Sequence, residues 1–542
     1  MVRWFDPHQL VDTAARVVAS GVWSSYVDTR ELQALAPASF HDRSDAAEVW
    51  VDYVSDLGDG WNSTYTVANL LAQDGLALEW EGESLPTPRG RILVMGGDQV
   101  YPVPKRTEYE NRMIGPYRSA SPASAGPGPD LFAIPGSHDW YDGLINFTNV
   151  FCRQRSIGAW TTSQTRSYFA VKLPRQWWIW GVDMQFGDYL DEVQLQYFAG
   201  IAARELRPGD AIVLCLAKEV ETGRKSAEVT SDRDLQHLER EIVELAGGRI
   251  ALYLKSGRHY YCRYEEEGGP RQLITAGGGG AFLHPTQHLP ERSDPHAIAG
   301  EKRFRRTAVY PSAPESKRLR KRVFLLPAYN LPLAAVFGAV QVLLAFMLNL
   351  HLRGGHRSLT LDDLRLALWE SPIAFLLVLL IVVTVGAMVR LAHDASGLPR
   401  LLLGTVHALT LFAALAAVML VASRLSSGIG GGFESLMVFL GLVALIGGIG
   451  GVLGIAAYLW AANCLGFHGN EAYAPLHHMD YKNFLRLHVG ADGVLTIYPI
   501  GVDRVGRDWE LCPDAPAGAP WFRAAGAPPV PHLIEAPIRL PG

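Results

Sequence analysis

The chain has 542 residues, 49% of them hydrophobic, and carries 49 Lys and Arg against 54 Asp and Glu, a formal net charge of −5. That length calls for more than one folding unit, and mixed charge of slightly acidic sign excludes nucleic-acid binding by the chain as a whole. The cysteines (Cys152, Cys215, Cys262, Cys464 and Cys512) are odd in number and form no CxxC pair, which excludes a zinc knuckle or a disulfide framework and fits a reducing compartment.

The start, Met1-Val2-Arg3-Trp4-Phe5-Asp6-Pro7, has no apolar stretch of the signal-peptide type. Residues 1–320 then read as alternating helices and short apolar strands. Helices are expected at Asp12–Val18 and Asn69–Asp74. Strands are expected at Val49–Val54, Arg91–Met95, Leu131–Ile134, Trp177–Val182, Ala211–Leu216, Ile250–Leu254 and Gln272–Thr275. The alternation predicts an α/β or α+β sandwich. Pro102–Asp130, rich in Pro, Gly and Ser, reads as a long loop suited to a lid.

Two strands end in the same way. Arg91–Met95 runs through Gly96 and Gly97 into Asp98 and Tyr101; Leu131–Ile134 runs through Gly136 into Ser137, His138 and Asp139. Active sites of open α/β sheets form at such strand tips. Asp, Tyr and His from several tips can converge on a metal ion that no single segment could hold.

Beyond about Arg322 the composition changes. Leu331–Leu350, Pro372–Val389, Leu401–Ser423 and Ser435–Asn463 contain no Asp, Glu, Lys or Arg. At roughly 20 residues per crossing each can span a bilayer, which predicts four transmembrane helices at about 329–350, 371–391, 400–423 and 435–463. Lys302, Arg303, Arg305, Arg306, Lys317, Arg318, Arg320, Lys321 and Arg322 crowd the approach to the first. The positive-inside rule then makes the N-terminal domain cytoplasmic, and four spans return the C-terminus to the same side. Arg390 and Arg400 agree with this; Arg353, Arg357 and Arg365 do not, and Leu359–Trp369 reads as an interfacial helix. The pairs Gly447/Gly451 and Gly450/Gly454 permit close helix contact, within one bundle or between two copies as a homodimer. His407 is the only ionisable residue in the spans, so the bundle reads as an anchor and not a conduit. Soluble patterning resumes over His468–Trp509, with a strand at Val494–Pro499 after the turn signal Asp492-Gly493; residues 466–542 form a cytoplasmic C-terminal segment whose tail from Pro513 is extended.

The ordered motifs Asp56-Leu57-Gly58, Gly97-Asp98, Gly136-Ser137-His138-Asp139 and Gly257-Arg258-His259 resemble those of the metallophosphoesterase (calcineurin-like) superfamily. The match covers roughly residues 45–290. Longer runs, His138-Asp139-Trp140-Tyr141-Asp142-Gly143-Leu144 and Ile274 to Thr286, are similar to a bacterial membrane-bound branch. The resemblance implies a four-layer α/β (α+β) sandwich, followed here by a four-helix transmembrane bundle and a small C-terminal β-containing segment. It also implies hydrolysis of a phosphomonoester or phosphodiester by attack of a metal-bound hydroxide, with Mn, Fe, Zn or Mg, one or two ions.

Roles follow by the same resemblance. Asp98 would bridge the metals and Asp56 would ligate the first, with Asp59 in reserve and Asp52 structural. Tyr101 looks like the Asp-x-x-Tyr arrangement of purple acid phosphatases, a hard oxygen donor, and a packed rim aromatic is the other reading. Ser137 and His259 complete the ligands. His138 would be the acid, with Asp139 orienting its ring. Arg258, Gly278, Gly279 and His284 would face the phosphate; a tight turn with close packing reads the glycines equally well. Arg263 and Tyr264 either line the cleft or end an exposed strand.

Three departures stand out. Ser137 replaces the family's Asn, Arg258 stands where a ligand belongs, and Leu214–Lys218 ends a strand without a histidine. The expectation is therefore a reduced or altered metal site, or else a catalytically inactive protein with a binding or regulatory role. The substrate would be a phosphorylated small molecule or a lipid, the basic run before the first span favouring anionic lipid.

Overall fold

The computed structural model describes residues 1–542 except 25–32, 34, 36–37, 124–127, 185–188, 218–228, 294–301, 352–358, 391–397 and 430–431. The chain divides into two units. The first comprises residues 1–2, 12–316 and 478–542, and the second residues 3–11 and 317–477.

The first unit is built on two mixed sheets. In one, Val49–Val54, Ile92–Met95 and Asp130–Ala133 lie side by side and parallel. In the other, Trp177–Val182, Ala211–Leu216, Arg249–Lys255 and Gln272–Ala276 do the same. These strands are apolar on both faces because both faces are covered. Val51, Tyr53, Ile92, Val94 and Phe132 of the first sheet share one buried cluster with Ile179, Val213, Leu252, Leu254 and Ile274 of the second. The alternate residues face outward: Leu93, Met95 and Leu131 pack on Tyr65, Leu70, Tyr109 and Met113, and Trp178, Trp180 and Leu214 pack on Tyr197, Phe198 and Leu238. A period of two along each strand thus sends consecutive side chains into different cores.

The seven strands expected within residues 1–320 are found within a residue or two of their limits; the strand expected at Val494–Pro499 is Leu495–Val502, and the helix expected at Asn69–Asp74 is Trp61–Ala72. The segment Pro102–Asp130 differs. Arg106–Tyr109, Glu110–Ile114 and Gly115–Ala120 are helical, and Tyr109, Met113 and Tyr117 are buried at four-residue spacing. A helix-forming stripe outweighed the Pro and Gly count, and Pro116 follows the π turn Glu110–Ile114, where Gly115 N–H donates to the Glu110 carbonyl five residues back.

Residues 478–542 of the C-terminal segment belong to the first unit. Lys482–Val489 pairs antiparallel with Val49–Val54 and with Leu495–Val502, and Pro531–Leu533 and Ile538–Leu540 add to the latter. Residues that follow the apolar helices therefore lie inside the sheet that carries the first motif.

The second unit is helical. Helices occupy all four apolar stretches: Leu331–His351, Pro372–Arg390, Leu398–Ser426 and Gly432–Cys464. Among the described residues two, Leu401–Ser426 and Gly432–Cys464, are long and apolar enough to cross a membrane; a third counts if Ala313–Tyr329 and Leu331–Met347, bent by 64°, form one span. Pro332 cannot supply the N–H that would carry the helix through this bend. The glycine face is used within the chain. A Cβ at Gly448 would lie 2.6 Å from the Ala334 carbonyl and one at Gly451 2.7 Å from Phe337, whereas Gly450 faces open space. The helix Leu361–Glu370 stands where an interfacial helix was expected; Arg353 and Arg357 lie outside the described residues.

Candidate functional site

The tips of the parallel strands of both sheets are tied together by hydrogen bonds. The Ser55 hydroxyl donates to the Ala276 carbonyl at 3.0 Å, and the Ser256 hydroxyl to the Gly96 carbonyl at 2.7 Å. Asp56 N–H and Leu57 N–H donate to the carbonyls of Gly97 and Asp98, 3.0 Å each, extending the ladder beyond the strands. To make these turns Asp56 and Asp98 take φ of +56° and +48°, a left-handed conformation that aspartate tolerates better than most residues. Gly136 is required for close approach: a Cβ there would lie 2.1 Å from Asp98 Oδ1.

Four of the expected ligands meet. The buried Tyr101 hydroxyl lies 3.0 Å from Asp56 Oδ1, 3.3 Å from Asp98 Oδ2 and 3.0 Å from His259 Nε2. His259 Nε2 is 3.5 Å from Asp56 Oδ1. His259 Nδ1 sits 2.7 Å from the Phe282 carbonyl, which can only accept, so Nδ1 carries the hydrogen and Nε2 presents its lone pair. Burial, then His284, holds the imidazole well below its usual pKa and keeps it neutral. Burial, then the Asp98 charge, pushes Asp56 well above the carboxylate range, and burial likewise keeps the phenol protonated. Three acceptors therefore surround one hydroxyl hydrogen. An added positive charge, whether a proton on Asp56 or a cation, relieves that crowding.

The donor set suits one cation: two carboxylates, a phenol oxygen and a neutral imidazole are ligands for Mn, Fe or Zn. Among the described residues no group of three His, Cys, Asp or Glu side chains is placed to hold an ion. Asp56, Asp98 and His259 instead each lie within hydrogen-bond distance of the Tyr101 oxygen. Asp56 is also engaged by the Ser55 hydroxyl at 2.8 Å and by Gly257 N–H at 3.1 Å from both oxygens. A second ion finds few donors. Ser137 is exposed, and beside Gly97 lie the methyl of Ala217 and the hydroxyl of Ser256. Lys218 lies outside the described residues.

His138 is half-buried at the same tip. Its N–H donates to Asp98 Oδ1 at 2.8 Å, its ring lies 4.5 Å from that of Tyr101, and its Nδ1 is 2.8 Å from the Pro102 carbonyl. The expectation that Asp139 orients this ring is corrected. Asp139 is fully buried and accepts from Gly136 N–H at 2.8 Å, Gln99 N–H at 3.1 Å and the Tyr109 hydroxyl. It fastens the two motif loops to each other.

Burial, then Asp98, pushes Asp139 up to about 8. A carboxyl whose pKa is raised on folding stabilises the native state fully below its unfolded value of about 4, and this is lost as pH rises towards the folded value. Thermal unfolding is thus expected at lower temperature as pH rises from about 5 to about 8, at up to ~1.4 kcal/mol per pH unit. Asp139→Asn should flatten that slope; an unchanged slope would assign it to another group.

The remaining expected residues fall as follows. Asp59 accepts from Val2 N–H and Phe282 N–H, 2.9 Å each, and so supports backbone. Asp52 is structural, paired with Arg486 at 2.7 Å. Gly279 N–H is given to the Ser55 carbonyl at 2.9 Å, and the Gly278 carbonyl accepts from Asn483 N–H at 3.1 Å. Gly279 therefore has no N–H to offer an anion: the close-packing reading fits it, and its place among phosphate-facing residues is corrected. His284 stacks on His259 with ring centres 3.9 Å apart. Arg258 is half-buried on the same loop. Arg263 pairs with Glu535 at 2.6 Å and the Tyr264 hydroxyl donates to the Pro290 carbonyl at 2.9 Å, so neither is a free strand end.

Sequence reasoning missed Lys482. It is fully buried, donates to the Ala281 carbonyl at 2.5 Å and is lowered to about 8 by burial. The only signal was a lysine beginning an apolar strand.

No family model and no curated protein matches this chain. Among solved structures it is similar to GAP50, the anchor in the inner membrane complex of Plasmodium, at 12% identity over 44% of this chain and 74% of that one, with a TM-score of 0.31. It is similar to the purple acid phosphatase PPD1 from yellow lupin (Lupinus luteus) seeds at 12% identity and a TM-score of 0.29, covering 50% of this chain and 48% of that one. For PhoD the values are 7% identity, a TM-score of 0.28, 46% of this chain and 59% of that one. The chain thus spans about half to three-quarters of the length of these proteins.

Proposed function

We propose that this protein is a membrane-anchored, metal-dependent phosphoesterase with a reduced site. In this reading a four-layer calcineurin-like sandwich of the bacterial branch precedes four spans, and both termini are cytoplasmic. The observation that carries it is the convergence of Asp56, Asp98 and His259 Nε2 on the Tyr101 oxygen at 3.0–3.3 Å. These four side chains would hold one ion, which when bound supplies Lewis acidity towards a phosphoryl oxygen and lowers the pKa of water.

The chain's own residues do the rest. The Pro102 carbonyl fixes the hydrogen of His138 on Nδ1, which aims Nε2 away from the backbone. Protonated, that nitrogen donates to a phosphate oxygen or to the leaving group; general acids of this kind contribute ~10²- to 10⁴-fold. Half-buried Arg258 supplies a fixed cation for phosphate in place of a second ion. With Mn²⁺ or iron, purified protein is expected to hydrolyse an aryl phosphate or phosphodiester, and His138→Ala to lose most of that rate. No turnover with either ion, together with an unaltered His138→Ala protein, would defeat the proposal.

A second reading has specific support. The phenol stands where the other donors meet, and Ser137 is exposed. On that reading the hydroxyl replaces the ion, and the domain binds a phosphorylated ligand without hydrolysing it.

A further inference from the structure

We propose that Lys482 is a positioning residue for the His259 imidazole, so that the candidate cation site is completed by chain that follows the apolar helices. This rests on the reading of Asp56, Asp98, Tyr101 and His259 as ligands.

The connection runs through one stretch of backbone. Lys482 Nζ donates to the Ala281 carbonyl at 2.5 Å. The next N–H, of Phe282, donates to Asp59 Oδ2 at 2.9 Å. The Phe282 carbonyl then receives His259 Nδ1–H at 2.7 Å, and His284 Nδ1 accepts His259 N–H at 3.3 Å. Upstream, Asn483 N–H holds the Gly278 carbonyl at 3.1 Å and Ala281 N–H donates to the Asp56 carbonyl at 2.9 Å. The stretch from Gly278 to His284 is therefore gripped on one side by Lys482 and Asn483, and grips His259 on the other. Releasing the Ala281 carbonyl leaves that peptide held by Phe282 N–H on Asp59 alone, and the adjoining Phe282 carbonyl is then less firmly placed. That carbonyl is the acceptor that sets the tautomer of the imidazole and aims Nε2 at Tyr101.

A strand residue with no such duty would not be lysine. Burying an ammonium is costly, and an apolar side chain would pack there more cheaply. Asp59, Asp480 and Asp56 are the charges that offset the cost. The ammonium also donates to the buried Ala281 carbonyl, which no apolar side chain can. Acceptors that orient a ligating histidine change metal affinity by ~10- to 100-fold when lost.

The test uses the full chain in detergent, titrated with Mn²⁺ while metal content and thermal unfolding are followed. Lys482→Met is expected to melt cooperatively without metal and to bind Mn²⁺ at least ~10-fold more weakly than wild type, and Lys482→Arg to recover most of the affinity. Should Lys482→Met show no cooperative transition, Lys482→Gln, which keeps a donor without charge, decides on the same terms. Wild-type affinity in the decisive variant overturns the proposal. An equal loss in Lys482→Arg also overturns it, because strand packing would then be the cause. Wild-type protein that binds no Mn²⁺ or iron sinks the underlying reading of the site instead.

Discussion

Tyr101→Phe is expected to lower affinity for Mn²⁺ or iron by at least ~10- to 100-fold, the range that follows loss of even an outer partner of a metal ligand. The change leaves the buried ring in place but takes a donor from buried Asp56, Asp98 and His259, so a stability loss of about 1–3 kcal/mol is expected beside the change in affinity. It also separates the two readings of the site. If the hydroxyl is a ligand, affinity falls. If it fills the ion's position, its removal leaves Asp56, Asp98 and His259 around an emptied point, and affinity stays or rises. Asp98→Ala serves as the companion, since binding must fall if these side chains hold an ion. Isothermal titration and elemental analysis of both variants give the answer, and unchanged binding in Asp98→Ala would show that no ion is held here.

Arg486→Met is expected to cost ~3–5 kcal/mol of stability, the usual penalty for stranding a buried charge. Arg486 is fully buried in the strand Lys482–Val489. Its Nε lies 2.7 Å from Asp52 Oδ1, and a terminal nitrogen donates to the Thr87 carbonyl at 2.6 Å. Burial pushes Asp52 up in pKa even against the adjacent guanidinium, a sign of how much the carboxylate depends on its partner. Removing both charges in Asp52→Asn/Arg486→Met should recover part of the loss, because the amide is not a buried ion. Denaturant melts of the two variants measure this. A loss below about 1 kcal/mol for Arg486→Met, the range of an exposed pair, would mean that the C-terminal strands do not need this pair to stay in the sheet.

Strands with interspersed polar residues, such as Tyr261–Glu266 and Lys482–Val489, were not foreseen; those that were legible are continuous apolar runs bounded by Gly, Pro and Asp. Arg106–Ala120 was not legible, since proline and glycine were counted before the four-residue spacing of Tyr109, Met113 and Tyr117. Of the candidate site, Asp98 and Tyr101 were readable as polar residues at a strand tip, whereas Asp56 and His259 came from the resemblance of motifs. The partner of Asp139 was not readable: adjacency to His138 in sequence suggested the imidazole, but the 3₁₀ turn Asp139–Asp142 points the carboxylate at Gly136, Gln99 and Tyr109. Nor was the destination of Gly279 N–H readable, because a run of glycines suits an anion or a close packing contact equally.

By itself the sequence determined eight of the strands, the apolar helices and the polar residues that end two of those strands, since these are local matters of period and composition. Only the tertiary structure decided which tips meet, that the Tyr101 hydroxyl occupies their common point, and that Lys482 and Arg486 enter the same sheet from beyond the apolar helices. Those depend on pairing between residues far apart in the chain, 45 positions for Asp56 and Tyr101 and 434 for Asp52 and Arg486, and no local pattern encodes a partner at such distances.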